Sequence, residues 1–131
     1  MTNEYTIDRC LSIYFDAPRG SDVRTRAIEK ALELAESFGH CMRIFNEISG
    51  KNDSDSEVRI LEEALEHAES FDQCAEVYKE DLLESDVGTA AIEKALKLAD
   101  SPEQCLQVYR EVEEGSNIGE RALKKAYDSI K

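Results

Sequence analysis

An all-α fold, an α-solenoid of four helix-turn-helix repeats, is predicted by three observations. The chain of 131 residues repeats itself: Ala27–Cys41 returns as Ile60–Cys74 and as Ala91–Cys105, and a shortened copy fills Ala122–Lys131. Its four cysteines, Cys10, Cys41, Cys74 and Cys105, lie 31, 33 and 31 residues apart, a spacing that suits stacked two-helix units. Apolar residues recur at helical spacing, and nowhere do they alternate with period two over a strand length. The expectation is one domain of eight helices in four antiparallel pairs, with repeats at about 6–36, 37–69, 70–100 and 101–131.

Each repeat opens with a capping signal. Four residues before each cysteine stands Thr6, Ser37, Ser70 or Ser101, and three residues after that stands Arg9, His40, Gln73 or Gln104. Ser-x-x-Gln is a capping box, in which the hydroxyl accepts from a free backbone N–H and the amide reaches back. Gln73 and Gln104 fit it fully, Arg9 and His40 in part. Pro102 takes the first helical position, where its missing N–H costs nothing. The short helix then runs through sets such as Cys41, Met42, Phe45 and Ile48, and Ile13, Ile44, Val77 and Val108 thicken its apolar face. Breakers or polar turns end it at Pro18–Gly20, Ser49–Asp53, Leu83–Glu84 and Glu114–Gly115.

A second cap opens the longer helix at Ser21, Ser54, Ser85 or Ser116, followed by Asp22, Asp55, Asp86 or Asn117 against the positive end of the helix dipole. Ala31, Ala64, Ala95 and Ala126 fall at one equivalent place, where a small side chain lets a neighbouring helix come close. The two extra residues of the second repeat fall in its turn, at Lys51 and Asn52.

Two-helix units of 31 to 33 residues resemble the tetratricopeptide-like α-solenoids in architecture, with Cys-x-x-x-Tyr/Phe standing where that family's motif has Trp and Gly-x-x-Tyr. That resemblance implies a right-handed, curved superhelix whose groove binds a protein or peptide.

Charge adds a second clue. The formal net charge is −13. Residues 1–52 and 87–131 are each near balance, while residues 53–86 hold thirteen acids against Arg59 and Lys79. Direct binding to nucleic acid or anionic lipid needs clustered Lys and Arg and is not expected. No apolar run approaches the roughly 18 residues of a membrane span. Met1–Tyr5 has no basic segment leading into an apolar stretch, so a cytoplasmic protein is expected.

Most chemistry-bearing residues have a structural explanation. The cysteines occupy one buried position per repeat and lack the paired spacing of a zinc site, so no metal, cofactor or disulfide is expected. His40 fills a capping slot and His67 a leucine slot, and neither has a nucleophile at catalytic spacing, so no enzyme is expected. Asp53–Glu57 begins like a calcium loop, but Val58 stands where the sixth-position Gly belongs and Ala64 where the twelfth-position Glu belongs. The stripe Tyr14, Phe45, Tyr78 and Tyr109 reads as packing, with hydroxyls reaching the groove edge.

The residues left for function are those at which the copies differ. Where other repeats pair Glu29 with Lys30 or Glu93 with Lys94, the second has Glu62 and Glu63. Glu66, Glu69, Glu76, Glu80, Asp81 and Glu84 extend this acidic candidate patch, which suits a partner with a basic surface. Variable polar positions on the short helices, Arg43, Asn46, Lys79, Gln107 and Arg110, are the candidate groove. The expected function is a non-enzymatic protein- or peptide-binding adaptor. The alternative is an acidic nucleic-acid mimic, for example a phage-type anti-defence inhibitor, that occupies a basic nucleic-acid-binding enzyme. The last helix carries Leu123, Tyr127 and Ile130 without a following repeat, which raises two alternatives, a homodimer through that helix or a partner site on its apolar edge.

Overall fold

The structure is a computed structural model and describes residues 3–50, 53–80, 86–112 and 115–130. Those residues form eight α-helices and no strand: α1 (Asn3–Asp16), α2 (Asp22–Leu34), α3 (Phe38–Ile48), α4 (Ser54–His67), α5 (Phe71–Glu80), α6 (Asp86–Leu98), α7 (Pro102–Glu111) and α8 (Asn117–Ser129). Each odd-numbered helix packs on the one that follows it, giving four consecutive helical hairpins. The chain divides into two compact units, Met1–Ala68 and Glu69–Lys131, of two hairpins each.

The capping signals operate, with differences. Ser37, Ser70 and Ser101 each accept from the backbone N–H three residues on, at 3.2 Å. The return bond reaches one residue further back than the sequence suggests. Gln73 Oε1 accepts from Glu69 N and Gln104 Oε1 from Asp100 N, both at 2.8 Å. His40 completes the same box with its ring, Nδ1 accepting from Glu36 N at 3.1 Å. The preceding Ala35 and Ala68 are extended, at ψ 122° and 127°, and three residues, 35–37, link α2 to α3.

Two expectations need correction. The first helix was expected to open at Thr6, but α1 begins at Asn3. In the second repeat the cap is Asp53 rather than Ser54: its Oδ1 accepts from Ser56 N at 3.3 Å, and Ser54 is already helical. Ser21 and Ser116 cap α2 and α8 as expected, whereas Ser85, Lys51 and Asn52 lie outside the described residues. Gly20, Gly50 and Gly115 sit in the hairpin turns at φ 80°, 85° and 83°, a backbone that residues with a Cβ rarely adopt.

The core of each unit comes from the repeated positions. All four cysteines are buried free thiols, beside Ile44, Val77 and Val108. Ala31 and Ala64 are wholly buried, and Ala95 and Ala126 nearly so. Within unit 1, α1 lies against α3 and α2 against α4. Within unit 2, Tyr78 Oη on α5 donates to the Glu111 carbonyl on α7 at 2.8 Å, and Lys125 Nζ on α8 donates to the carbonyl of Leu96 near the end of α6.

Two substitutions separate capping from packing. Ser101→Ala is expected to lower unfolding free energy by about 1 kcal/mol in chemical denaturation. Ala64→Leu is expected to cost more, about 1–3 kcal/mol, because the added carbons have no room between α4 and its neighbours. An Ala64→Leu protein as stable as the parent would show that no helix approaches closely there.

Candidate binding surfaces

Unit 1 contains a polar cluster that grows from one buried hydroxyl. Tyr14 on α1 is fully buried, and a phenol in that position needs a partner. Its Oη donates to Asp53 Oδ2 at 2.7 Å. The same carboxylate caps α4, so one aspartate serves both a neighbouring repeat and its own helix. Arg24, in the first turn of α2, lays its guanidinium over the Tyr14 ring at 4.2 Å from the centroid, a favourable cation–π geometry. Arg24 Nε is buried without a hydrogen-bond partner.

Electrostatics follow the geometry. Burial, then the Asp53 bond and charge, pushes the Tyr14 hydroxyl up to about 12. Burial raises the Asp53 carboxyl too, but the hydrogen bonds from Tyr14 and Ser56 and the nearby Arg24 charge outweigh it and hold the group below the usual carboxylate range. Burial also raises the Cys41 thiol, with Glu63 adding to it, to about 11, and burial raises Cys10 and Cys74. Such thiols stay protonated near neutral pH, the opposite of an activated nucleophile.

This cluster forms one wall of a cleft of about 550 Å³ between the N-terminal ends of α2 and α4. Arg19, Arg24 and Arg59 bring three cations to it, and Glu29, Asp53 and Asp55 three anions. Arg59 is held by Glu29 at 3.4 Å and Glu63 at 2.9 Å, so its charge is already satisfied. The cleft therefore has no net sign with which to select an ion. Among the described residues no group of three or more His, Cys, Asp or Glu is arranged to hold a metal.

The acidic positions divide between the units. Glu62 and Glu66 are exposed on α4 of unit 1, whereas Glu63 is half-buried in its pair with Arg59. In unit 2, Glu69 is exposed in the turn before α5, Glu76 is exposed on α5, and Glu80 ends α5 half-buried. Asp81 and Glu84 lie outside the described residues.

The candidate groove positions also divide. In unit 1, Arg43 on α3 is bound to Asp8 of α1, and Asn46 is exposed on α3. In unit 2, Lys79 and Gln107 line a small apolar cleft of about 20 Å³ between α5 and α7, with Ala75, Tyr78, Val108 and Glu111. Arg110 is exposed on α7 and does not line that cleft.

Sequence reasoning missed the Tyr14–Asp53–Arg24 cluster. The tyrosine was read as packing with its hydroxyl at a groove edge, but it is wholly buried and bonded across repeats. One signal was available: Asp53 stands at the repeat position held by Gly20 and Gly115. Compared with known proteins, the chain matches no family model, no curated protein sequence and no solved structure.

Tyr14→Phe is expected to cost about 1–3 kcal/mol near neutral pH, because Asp53 Oδ2 loses its donor. The difference from the parent should also depend on pH. The raised Tyr14 pKa contributes stability that is complete below about pH 10 and is lost as pH climbs through about 12. The lowered Asp53 pKa contributes stability that is complete above about pH 4 and is lost as pH falls below that. Denaturation of both proteins across the pH range should therefore show a plateau in their difference, narrowing at both ends. A difference independent of pH would mean that the bond is not formed.

Proposed function

We propose that this chain is a non-enzymatic helical-repeat protein of the right-handed, tetratricopeptide-like α-solenoid kind, which binds a protein or peptide along its short helices. The observation that carries this reading is the cleft between α5 and α7. Apolar side chains, Ala75 and Val108 among them, form its floor, and the variable residues Lys79 and Gln107 rim it with Glu111. The cleft is small, about 20 Å³, but an apolar floor with a polar rim is a pattern that protein-recognition surfaces share. Those two rim positions differ from repeat to repeat, so stacking does not dictate them. Phe15 adds support in unit 1: it is exposed at the register of Asn46, Lys79 and Arg110. The exposed carboxylates of Glu62, Glu66, Glu69 and Glu76 suit a partner with a basic surface and would speed its approach. A cytoplasmic setting is part of the same reading.

The second reading, an acidic mimic of nucleic acid, is favoured by one observation. Glu62 and Glu66 lie on the same side of α4 and both are exposed. Paired carboxylates of this kind can stand in for backbone phosphates.

Capture of partners by the tagged full chain at low and high salt, with and without added nucleic acid, separates the two. The adaptor reading expects a partner that survives high salt, ignores nucleic acid and is lost on Ala75→Arg, which fills the cleft. Glu62→Lys with Glu66→Lys is expected to slow association more than it speeds dissociation. A partner displaced by DNA or RNA and indifferent to Ala75→Arg would replace this reading with the mimic.

A further inference from the structure

The capping boxes of α3, α5 and α7 share one geometry but not one chemistry. In α5 and α7 the return acceptor is an amide oxygen, Gln73 Oε1 taking the Glu69 N–H and Gln104 Oε1 the Asp100 N–H, both at 2.8 Å. In α3 it is a ring nitrogen, His40 Nδ1, 3.1 Å from Glu36 N. A carboxamide oxygen accepts in acid and in base alike. An imidazole is the side chain whose charge changes between about pH 5 and 8, and both nitrogens of its cation are donors. With Nδ1 protonated, two donors face each other and the bond to Glu36 is lost. The ring is half-buried, so water reaches it. Of these three helices, α3 is also the least able to begin without its cap. Its first turn is Phe38-Gly39-His40, with no acidic side chain, where α5 has Asp72 and α7 has Glu103 after Pro102. Acids suit the positive end of a helix and a cation opposes it, so a protonated His40 disfavours this turn through the dipole as well. Gly39, standing in place of those acids, has more backbone freedom to lose.

We propose that the box opening α3 is a proton-sensitive latch: neutral His40 holds the turn between α2 and α3, and protonated His40 releases it. Release loosens residues 35–37 within unit 1, while α5 and α7 keep their boxes. The bond's contribution is complete with the ring neutral and is lost as pH falls through the imidazole range. The charges around the ring set the size of the effect. Glu36 carries a carboxylate on the donor residue itself, and from α4 Glu63 and Glu66 act on the neighbouring Cys41, so all three favour the cation. Arg59 of α4 opposes them and is paired with Glu63. On α3, Arg43 lies one turn beyond His40 and is tied to Asp8 of α1. Glu33, the last charge of α2, is paired with Lys30. His67 lies in the last turn of α4. The Glu36 and Glu66 side chains are exposed, so water and salt screen them, whereas the lost bond and the helix end act at contact.

Chemical denaturation of the full chain and of His40→Gln, between about pH 7.5 and about pH 5, tests this. His40→Gln gives α3 the box that α5 and α7 already have. His67 and every carboxylate are common to both proteins and cancel in the comparison. The folded-to-unfolded ratio of the parent, divided by that of the variant, is expected to fall about threefold to tenfold across that range. A quotient that stays level, or that rises in acid because Glu36 and the α4 acids hold the cation in place, overturns the proposal. Hydrogen exchange of the parent alone serves should His40→Gln fail to fold. Protection of the Glu36 amide is expected to drop at least about threefold in acid relative to the Glu69 and Asp100 amides. Equal protection of the three amides across the range likewise overturns it.

Discussion

Among the described residues, no helix is long enough to hold itself. All eight run between 10 and 14 residues, and isolated helices shorter than about 12–15 residues are marginal in water. Every helix therefore depends on burying one face against another. The repeat is the means: each odd-numbered helix packs on the helix that follows it, and the recurring cysteine and alanine positions are buried. Small residues on both sides bring the backbones close enough for Ile44, Val77 and Val108 to pack in a dry interior. Capping supports the arrangement by satisfying the first N–H groups of helices that have few turns over which to spread that cost.

Charge has two different roles in the chain. At the recurring ion-pair register, Arg59 with Glu29 and Arg121 with Glu93, exposed pairs contribute little energy, about 0–1 kcal/mol each. Their value lies in fixing which residue of one helix faces which of the next. The third repeat has Ala90 at the arginine position.

Asp53 shows how a departure from the repeat acquires a role. In two other repeats its place is a glycine with positive φ, which makes the hairpin turn. The second repeat has a longer turn, with Gly50 providing the left-handed residue earlier. Its carboxylate is then available to cap α4 and to receive the Tyr14 hydroxyl from the first repeat. Without it, Tyr14 could not be buried beneath Arg24 at acceptable cost, because a buried phenol lacking a partner is destabilising.

The sequence by itself determined the helices, their pairing and most of their caps. Those features rest on contacts within about 35 residues, and each was written several times over, so Ser37, Ser70 and Ser101 could be read against one another. It also marked the buried cysteine and alanine positions, because a helix shows its apolar face as a period. Only the tertiary structure decided which polar residues meet. Tyr14 and Asp53 are 39 residues apart and Arg43 and Asp8 are 35 apart, and neither pair follows from a periodicity. It likewise decided that Glu63 is spent on Arg59 while Glu62 and Glu66 remain exposed, and that Lys79 and Gln107 share a cleft while Arg110 stands apart from it. The physical reason is that periodicity encodes which face a residue lies on. The partner it finds across that face depends on how neighbouring helices are set against each other, and that is a property of the packed chain.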